Sequence, residues 1–326
     1  MSIENLLSAW QEFLHDKKNK KGVREFQFRL MDNILALHHD LINNRYQHAG
    51  YERRNICDPK PRTIHIASVR DRLVHHAVYQ ILYPFFQRTF IADSFSCQNE
   101  KGTHRAVNRF LQFARIVSKN NTKTCWILKC DIRKFFASIN QQILINMLDE
   151  QIQDAHMMDL IKEIIHSFNS GKIGVGLPLG NLTSQLFSNV YLNKLDQFLK
   201  HKLKVKYYIR YADDFVVFSD DKKYLENMIP AIGEFLQSNL KVNLHPDKVF
   251  IKTLASGMDF LGWVNFFDHR VLRTKTKKRM YAKLEENEKL EVVNSYLGLL
   301  SHGNTGKIKE KVISRYLPLI REKRRV

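Results

Sequence analysis

Apolar residues recur at helical spacing over Ile3, Leu6, Leu7, Trp10, Phe13 and Leu14, and again over Val74, Ala77, Val78, Ile81, Leu82 and Phe85 after Val69. Both stretches predict amphipathic helices, and Ala106, Val107, Phe110, Leu111 and Ala114 predict a third over residues 104–117. Between the first two, RNICDPKPRTIHI places two prolines around a lysine and then alternates Ile64 and Ile66 with polar neighbours, which predicts a loop leading into a short strand. The polar turn SKNNTK precedes TCWILKCD, a short apolar run ending in an acid, as expected of a buried strand with a functional tip. Gly171, Gly174, Gly176, Pro178 and Gly180 mark a loop that feeds a long helix over residues 183–203, with Leu186, Val190 and Leu195 toward the core. In KYYIRYADDFVVF, two aromatic and β-branched arms flank Ala212-Asp213-Asp214, the pattern of a hairpin with acids at its turn.

Composition narrows the partner. The 326 residues are 44% hydrophobic, enough for a packed core of two or three subdomains, and carry a formal net charge of +19. That excess points to a polyanion, with nucleic acid first. Residues 270–326 hold 16 Lys+Arg against 6 Asp+Glu and form a candidate nucleic-acid arm. Four cysteines without a C-x-x-C pair, and a start without a signal-peptide pattern, give no reason to expect disulfides, structural zinc or secretion, so a reducing cytoplasmic location is expected. No apolar run reaches the ~18 residues of a membrane span. The His38-His39 and His75-His76 pairs lack an i, i+4 histidine partner, and no zinc site is expected.

Asp131 ends one apolar strand, and Asp213 and Asp214 interrupt another. Burying three carboxylates is costly unless a cation pairs with them, and a divalent metal supplies that cation. Two Mg²⁺ ions ~4 Å apart can stabilise both the attacking and the leaving oxygen of an in-line phosphoryl transfer.

The segments CDIRKFFASI, GLPLGNLTSQLFSNVYLNKLD, YIRYADDFVVF, LHPDKVF and FLGW occur in this order. Together they resemble the successive palm motifs of reverse transcriptases of the prokaryotic retroelement type. The resemblance implies an α+β right-hand polymerase with fingers, palm and thumb, copying RNA into DNA with dNTPs and two Mg²⁺, Mn²⁺ being a substitute. The implied layout is an N-terminal helical extension (1–58), fingers (59–122), a first palm segment (123–140), a fingers–palm connection (141–176), a second palm segment (177–265) and a basic helical thumb (266–326).

Carried over by position, Asp131 and Asp213 are the principal metal ligands, with the Ile132 carbonyl assisting and Asp214 completing the cluster. Phe136 falls where such enzymes place the aromatic that crowds a ribose 2′-hydroxyl. Lys60 and Arg62 sit in a short basic hairpin suited to the incoming triphosphate. Leu179, Gly180 and Gln185 line the nucleotide site, and Lys248 is placed to protonate the departing pyrophosphate. Arg70, Arg72, Tyr211, the turn Phe260-Leu261-Gly262-Trp263 and the cations Lys275, Lys277, Lys278 and Arg279 fall to primer and template.

Most reverse transcriptases have Gln-Gly before the palm helix, whereas this chain has Leu179-Gly180 followed by Asn181-Leu182-Thr183-Ser184-Gln185. This form is similar to that of diversity-generating retroelements, which implies error-prone copying of a template RNA and a small basic helical accessory protein. The other branch the resemblance leaves open is an antiphage-defence enzyme working with a dedicated noncoding RNA. Roughly sixty residues follow FLGW, enough for a thumb and short of a maturase or endonuclease domain, and the V-T-G motif of retron enzymes is not found. A noncatalytic RNA-binding scaffold is the alternative from a different class, and the retained acids speak against it.

Overall fold

The computed structural model describes residues 1–15, 17–57, 61–287 and 289–322, with side chains to residue 316. The expected triphosphate contact at Lys60 therefore lies outside the described residues. The N-terminal part holds α1 (Ile3–Leu14), α2 (Lys21–Phe28), α3 (Leu30–Ile42), β1 (Tyr51–Ile56), β2 (Arg62–Ala67), α4 (Val69–Phe86) and α5 (Thr103–Val117). There follow β3 (Trp126–Asp131), α6 (Phe135–Ser138), α7 (Gln141–Asp149), α8 (Ala155–His166), α9 (Leu182–Gln197), β4 (Tyr208–Tyr211), β5 (Asp214–Ser219), α10 (Lys222–Leu240) and β6 (Phe250–Thr253). The last part comprises β7 (Met258–Phe260), β8 (Trp263–Asn265), β9 (Arg270–Leu272), α11 (Thr274–Glu286), α12 (Leu290–Leu300) and α13 (Gly306–Glu322).

The palm is an antiparallel sheet of order β4-β5-β3-β6. Successive side chains alternate between its faces, and both faces are buried. Leu128, Cys130, Phe215 and Val217 join a large core with the N-terminal helices and α7 to α10, while Ile127, Ile209, Val216 and Phe218 join a second core with α5, β7 to β9 and the thumb helices. That alternation sends Asp131 and Lys129 to the same face of the central strand, beside Asp214 on β5.

Two expectations need correction. The stretch expected to begin as a loop at Arg54 begins as strand: Arg54, Asn55 and Ile56 belong to β1, which pairs with β2 from Tyr51↔Ala67 to Ile56↔Arg62. Four of the six β1 residues are exposed, so the strand carries no alternating apolar signal. The helix expected to reach residue 203 stops as an α-helix at Gln197 and continues as a wider π-type turn over Phe198–Lys202. α9 is buried nearly all round, from Thr183 to Asp196, which hides its period from an amphipathic reading.

The thumb is helical, as expected. Lys275, Lys277 and Lys278 stand in the first turns of α11, where the positive end of the helix disfavours cations.

Candidate active site

The acids are placed by strand register. Asp131 at the end of β3 pairs with Asp214 at the start of β5, which also pairs with Tyr211, and the Ile132 N–H donates to the Asp213 carbonyl at 3.3 Å. Ala212 turns the chain with φ of +54°, a left-handed conformation uncommon for alanine. Underneath, Arg210 holds the turn in place. Its guanidinium donates to both Asp196 oxygens at 2.8 and 2.6 Å, to Asn189 Oδ1 at 3.1 Å and to the Ala212 carbonyl at 3.2 Å, and Tyr208 adds a 2.8 Å bond to Asp196. Sequence reasoning missed Arg210 and Asp196. The available signal was an arginine in the aromatic strand YIRY and an acid in a buried helix, charges that have to find each other.

Electrostatics mark the opposite face as incomplete. Burial, reinforced by the neighbouring Asp131 charge, pushes the Asp213 carboxyl above the usual carboxylate range. Burial pushes Asp214 up to about 6 despite the opposing charge of Lys129, whose Nζ lies 3.2 Å from Oδ2, and Asp214 Oδ1 is buried without a partner. Lys248 donates to Asp131 Oδ1 at 2.7 Å. Among the described residues no three His, Cys, Asp or Glu side chains converge as a ready-made metal cage. Mg²⁺ is nonetheless suited to this donor set, because it is held by one or two carboxylates and completes its shell with water and substrate phosphates. Asp131 and Asp213 supply hard oxygen donors beside an orphaned carboxylate oxygen, and the residues fit the cation.

A cleft of about 1010 Å³ opens above Asp213. Phe136 and Leu179 line it, and Arg53, Arg62 and Lys134 give it a cationic border. Phe135, in contrast, is buried in the core. The Leu179 carbonyl accepts from the His65 N–H at 2.9 Å, Asn181 Nδ2 donates to the His65 carbonyl at 3.0 Å, and the loop between them passes close to β2 at Gly180, whose φ is +108°. Gln185 is not brought into this cleft; it borders a separate cavity of about 360 Å³ with Lys17, Arg72 and His76. Arg72 also stacks over Phe13, its carbon Cζ 5.1 Å from the ring centre, and Arg70 pairs with Asp40 at 2.7 Å, so the structure gives Arg70 a partner in the N-terminal helices.

A second cavity of about 920 Å³ lies between palm and thumb, with Leu261, Gly262, Trp263, Lys275 and Arg279 on its walls and Arg62 at its edge. Leu261 and Gly262 both have positive φ, +51° and +87°, and form the tight turn expected there. Phe260 anchors the turn in the second core, stacked 5.4 Å from Phe110. Tyr211 OH accepts from Thr103 Oγ1 at 3.3 Å. Lys277 and Lys278 are exposed on α11 but do not line the cavity.

Comparison with known proteins agrees with this geometry. The family described as reverse transcriptase (RNA-dependent DNA polymerase) matches residues 54–265. Protein YkfC of Escherichia coli (strain K12) is 26% identical over 293 residues, covering 77% of this chain and 74% of YkfC. The group II intron-encoded protein LtrA of Lactococcus lactis subsp. cremoris is 22% identical over 68% of this chain, which spans 46% of LtrA. The telomerase of Candida tropicalis, solved with a TWJ fragment of telomeric RNA, shares the fold with a TM-score of 0.55 at 13% identity, over 87% of this chain and 56% of its own. With the motif acids on adjacent palm strands and a family match across most of the chain, this protein belongs to the reverse transcriptases, the RNA-directed DNA polymerase family, and has their right-hand fold.

Proposed function

We propose that this chain copies RNA into DNA, joining dNTPs to a primer 3′-hydroxyl, and that it does so with the low fidelity of a diversity-generating retroelement. The observation that carries the reading is one cleft in which Asp213 forms the floor, Phe136 and Leu179 the walls and arginines the border. The primer 3′-hydroxyl loses its proton to solvent as its oxygen attacks the α-phosphorus, the bond from that phosphorus to the α–β bridging oxygen breaks, and pyrophosphate leaves with a proton from Lys248. Asp131 and Asp213 would hold two Mg²⁺ ions, which would supply the positive charge that acidifies the attacking hydroxyl and neutralises the triphosphate. Asp214, with the Ile132 carbonyl, completes that set. Arg62, with Lys60 beside it in sequence, holds the triphosphate, and Phe136 excludes a 2′-hydroxyl. Leu261, Gly262, Trp263 and Tyr211 seat the primer end, and Lys275, Lys277, Lys278 and Arg279 track the duplex backbone without reading sequence. Arg72, on the cavity beside β2 that Gln185 also borders, serves the template strand.

Leu179 supports the mutagenic reading, because an aliphatic side chain on the cleft wall offers the nucleotide no hydrogen bond and leaves its geometry looser. Part of the surrounding signature is structural: Asn181 clamps β2 and Thr183 Oγ1 lies 2.5 Å from His75 Nδ1. The partners implied are a template RNA, the cDNA and a small basic helical accessory protein. Extension of a DNA primer on an adenine-rich RNA, followed by sequencing, tests the assignment. Leu179→Gln is expected to lower misincorporation opposite adenine severalfold; an unchanged error spectrum in the active variant refutes the role of Leu179. Faithful wild-type cDNA refutes diversification and favours defence with a dedicated noncoding RNA.

A further inference from the structure

Lys129 lies two residues before the catalytic Asp131 on the central palm strand, with its side chain 12% exposed. An ammonium in that position has to be matched by acceptors. Two are present. Nζ lies 3.2 Å from Asp214 Oδ2 and donates to the main-chain carbonyl of Asp259 at 2.8 Å, while the Phe260 ring centre is 5.8 Å away. Asp214 belongs to the palm sheet and Asp259 to β7, in a separate three-stranded sheet that shares no ladder with it. Lys129 therefore bridges the two sheets between Asp214 and the residue that precedes the Phe260–Trp263 turn. The bridge continues outward: the Asp259 carboxylate takes Arg273 NH1 at 2.9 Å, and the Arg273 N–H donates to the Gly262 carbonyl at 3.1 Å, immediately before α11.

We propose that Lys129 is a positioning residue that fixes the Phe260–Trp263 turn, which the proposed function assigns to the primer end, against the acidic hairpin. A lysine needed only to neutralise Asp214 has no reason to spend a second donor on the carbonyl of another sheet. The consequence is geometric. With Lys129 removed, the turn and the acids lose this tether, and the primer end is no longer held at a fixed height over Asp213. That consequence rests on the polymerase reading, but the tether itself does not.

Amide hydrogen exchange of the full chain without substrates reads the tether directly. Lys129→Met is expected to speed exchange at residues 258–263 and 213–216 by tenfold or more, while Lys129→Arg, which keeps a charged donor, stays within about threefold of wild type. Unchanged exchange in those segments, or acceleration spread evenly over the whole chain, overturns the proposal. In primer extension, Lys129→Met is expected to lower kcat by 10- to 100-fold with KM for template–primer changed less than threefold, and Lys129→Arg to recover most of the loss. A change confined to KM contradicts primer positioning. A wild-type chain that makes no cDNA yet shows the exchange pattern sinks the polymerase reading and leaves the tether standing.

Discussion

Arg210 and Tyr208 project from one face of the palm hairpin and Asp214 from the other, with Asp213 in the turn between them, and the two faces hold buried charge in different ways. On the helix side, Arg210 and Asp196 are both fully buried and completely matched, with a bidentate pair, an amide, a phenol and a turn carbonyl closing the network. On the cleft side, the carboxylates are pushed up by burial, one oxygen has no partner, and the lysines that face them are part-exposed. A complete network rigidifies; an incomplete one is poised to receive something. The same four-residue turn thus rests on a structural ion pair and presents a chemical one.

The largest effect that can break this contrast is on the cleft side. Asp213→Asn or Asp131→Asn is expected to reduce synthesis by about a thousandfold or more, several kcal/mol of transition-state stabilisation. For Asp213→Asn the unfolding midpoint should hold or rise, because a mutual repulsion is removed. A variant that unfolds instead would place these acids in the structural class. The helix side should behave in the opposite way. Arg210→Met strands the Asp196 carboxylate and is expected to cost ~3–5 kcal/mol in denaturant unfolding, whereas Arg210→Met with Asp196→Leu should regain most of it. If the double variant is as unstable as the single one, the pair is not self-contained.

A third buried network, at the joint of fingers and α9, asks how far completeness depends on protonation. His75 Nε2 lies 3.2 Å from His48 Nε2, and burial lowers both imidazoles, His75 to about 3. A folded-state value below the unfolded one means the unfolded chain takes up the proton first. Stability from this joint is therefore fully present above about pH 6.5 and is lost as the pH falls toward 3. Urea unfolding at stepped pH should show that decline, and His75→Asn should flatten it; an identical slope in the variant would remove the histidines as its cause. The smallest effect concerns the thumb. Lys275→Ala and Arg279→Ala should each reduce the salt slope of template–primer binding by ~1, on any sequence, and Lys277→Ala by less. Equal slopes for all of them would mean that the cavity wall has no special share in duplex binding.

What could be read in the sequence and what could not follows from the reach of each signal. Asp131, Asp213 and Asp214 were legible because each breaks an apolar strand, and the hairpin, the palm strand and three helices carried clean periods. β1 was not, since a strand exposed at four of its six residues has no apolar face to betray it. Arg210 with Asp196, and Lys129 with Asp259, are pairs 14 and 130 residues apart whose meeting depends on packing. Gln185 shows the same limit from the other side: expected in the nucleotide cleft beside Leu179, it is carried by one turn of α9 into the neighbouring cavity.

Primer extension with the purified chain, an RNA template, a DNA primer, dNTPs and Mg²⁺, run beside an Asp213→Asn chain of matched unfolding midpoint, decides whether the acidic hairpin is a polymerase centre. Template-complementary cDNA is expected from the wild type, none without the divalent cation, and none from the variant. Equal product from the variant, or no product from a wild type shown to bind the template–primer, would contradict that assignment.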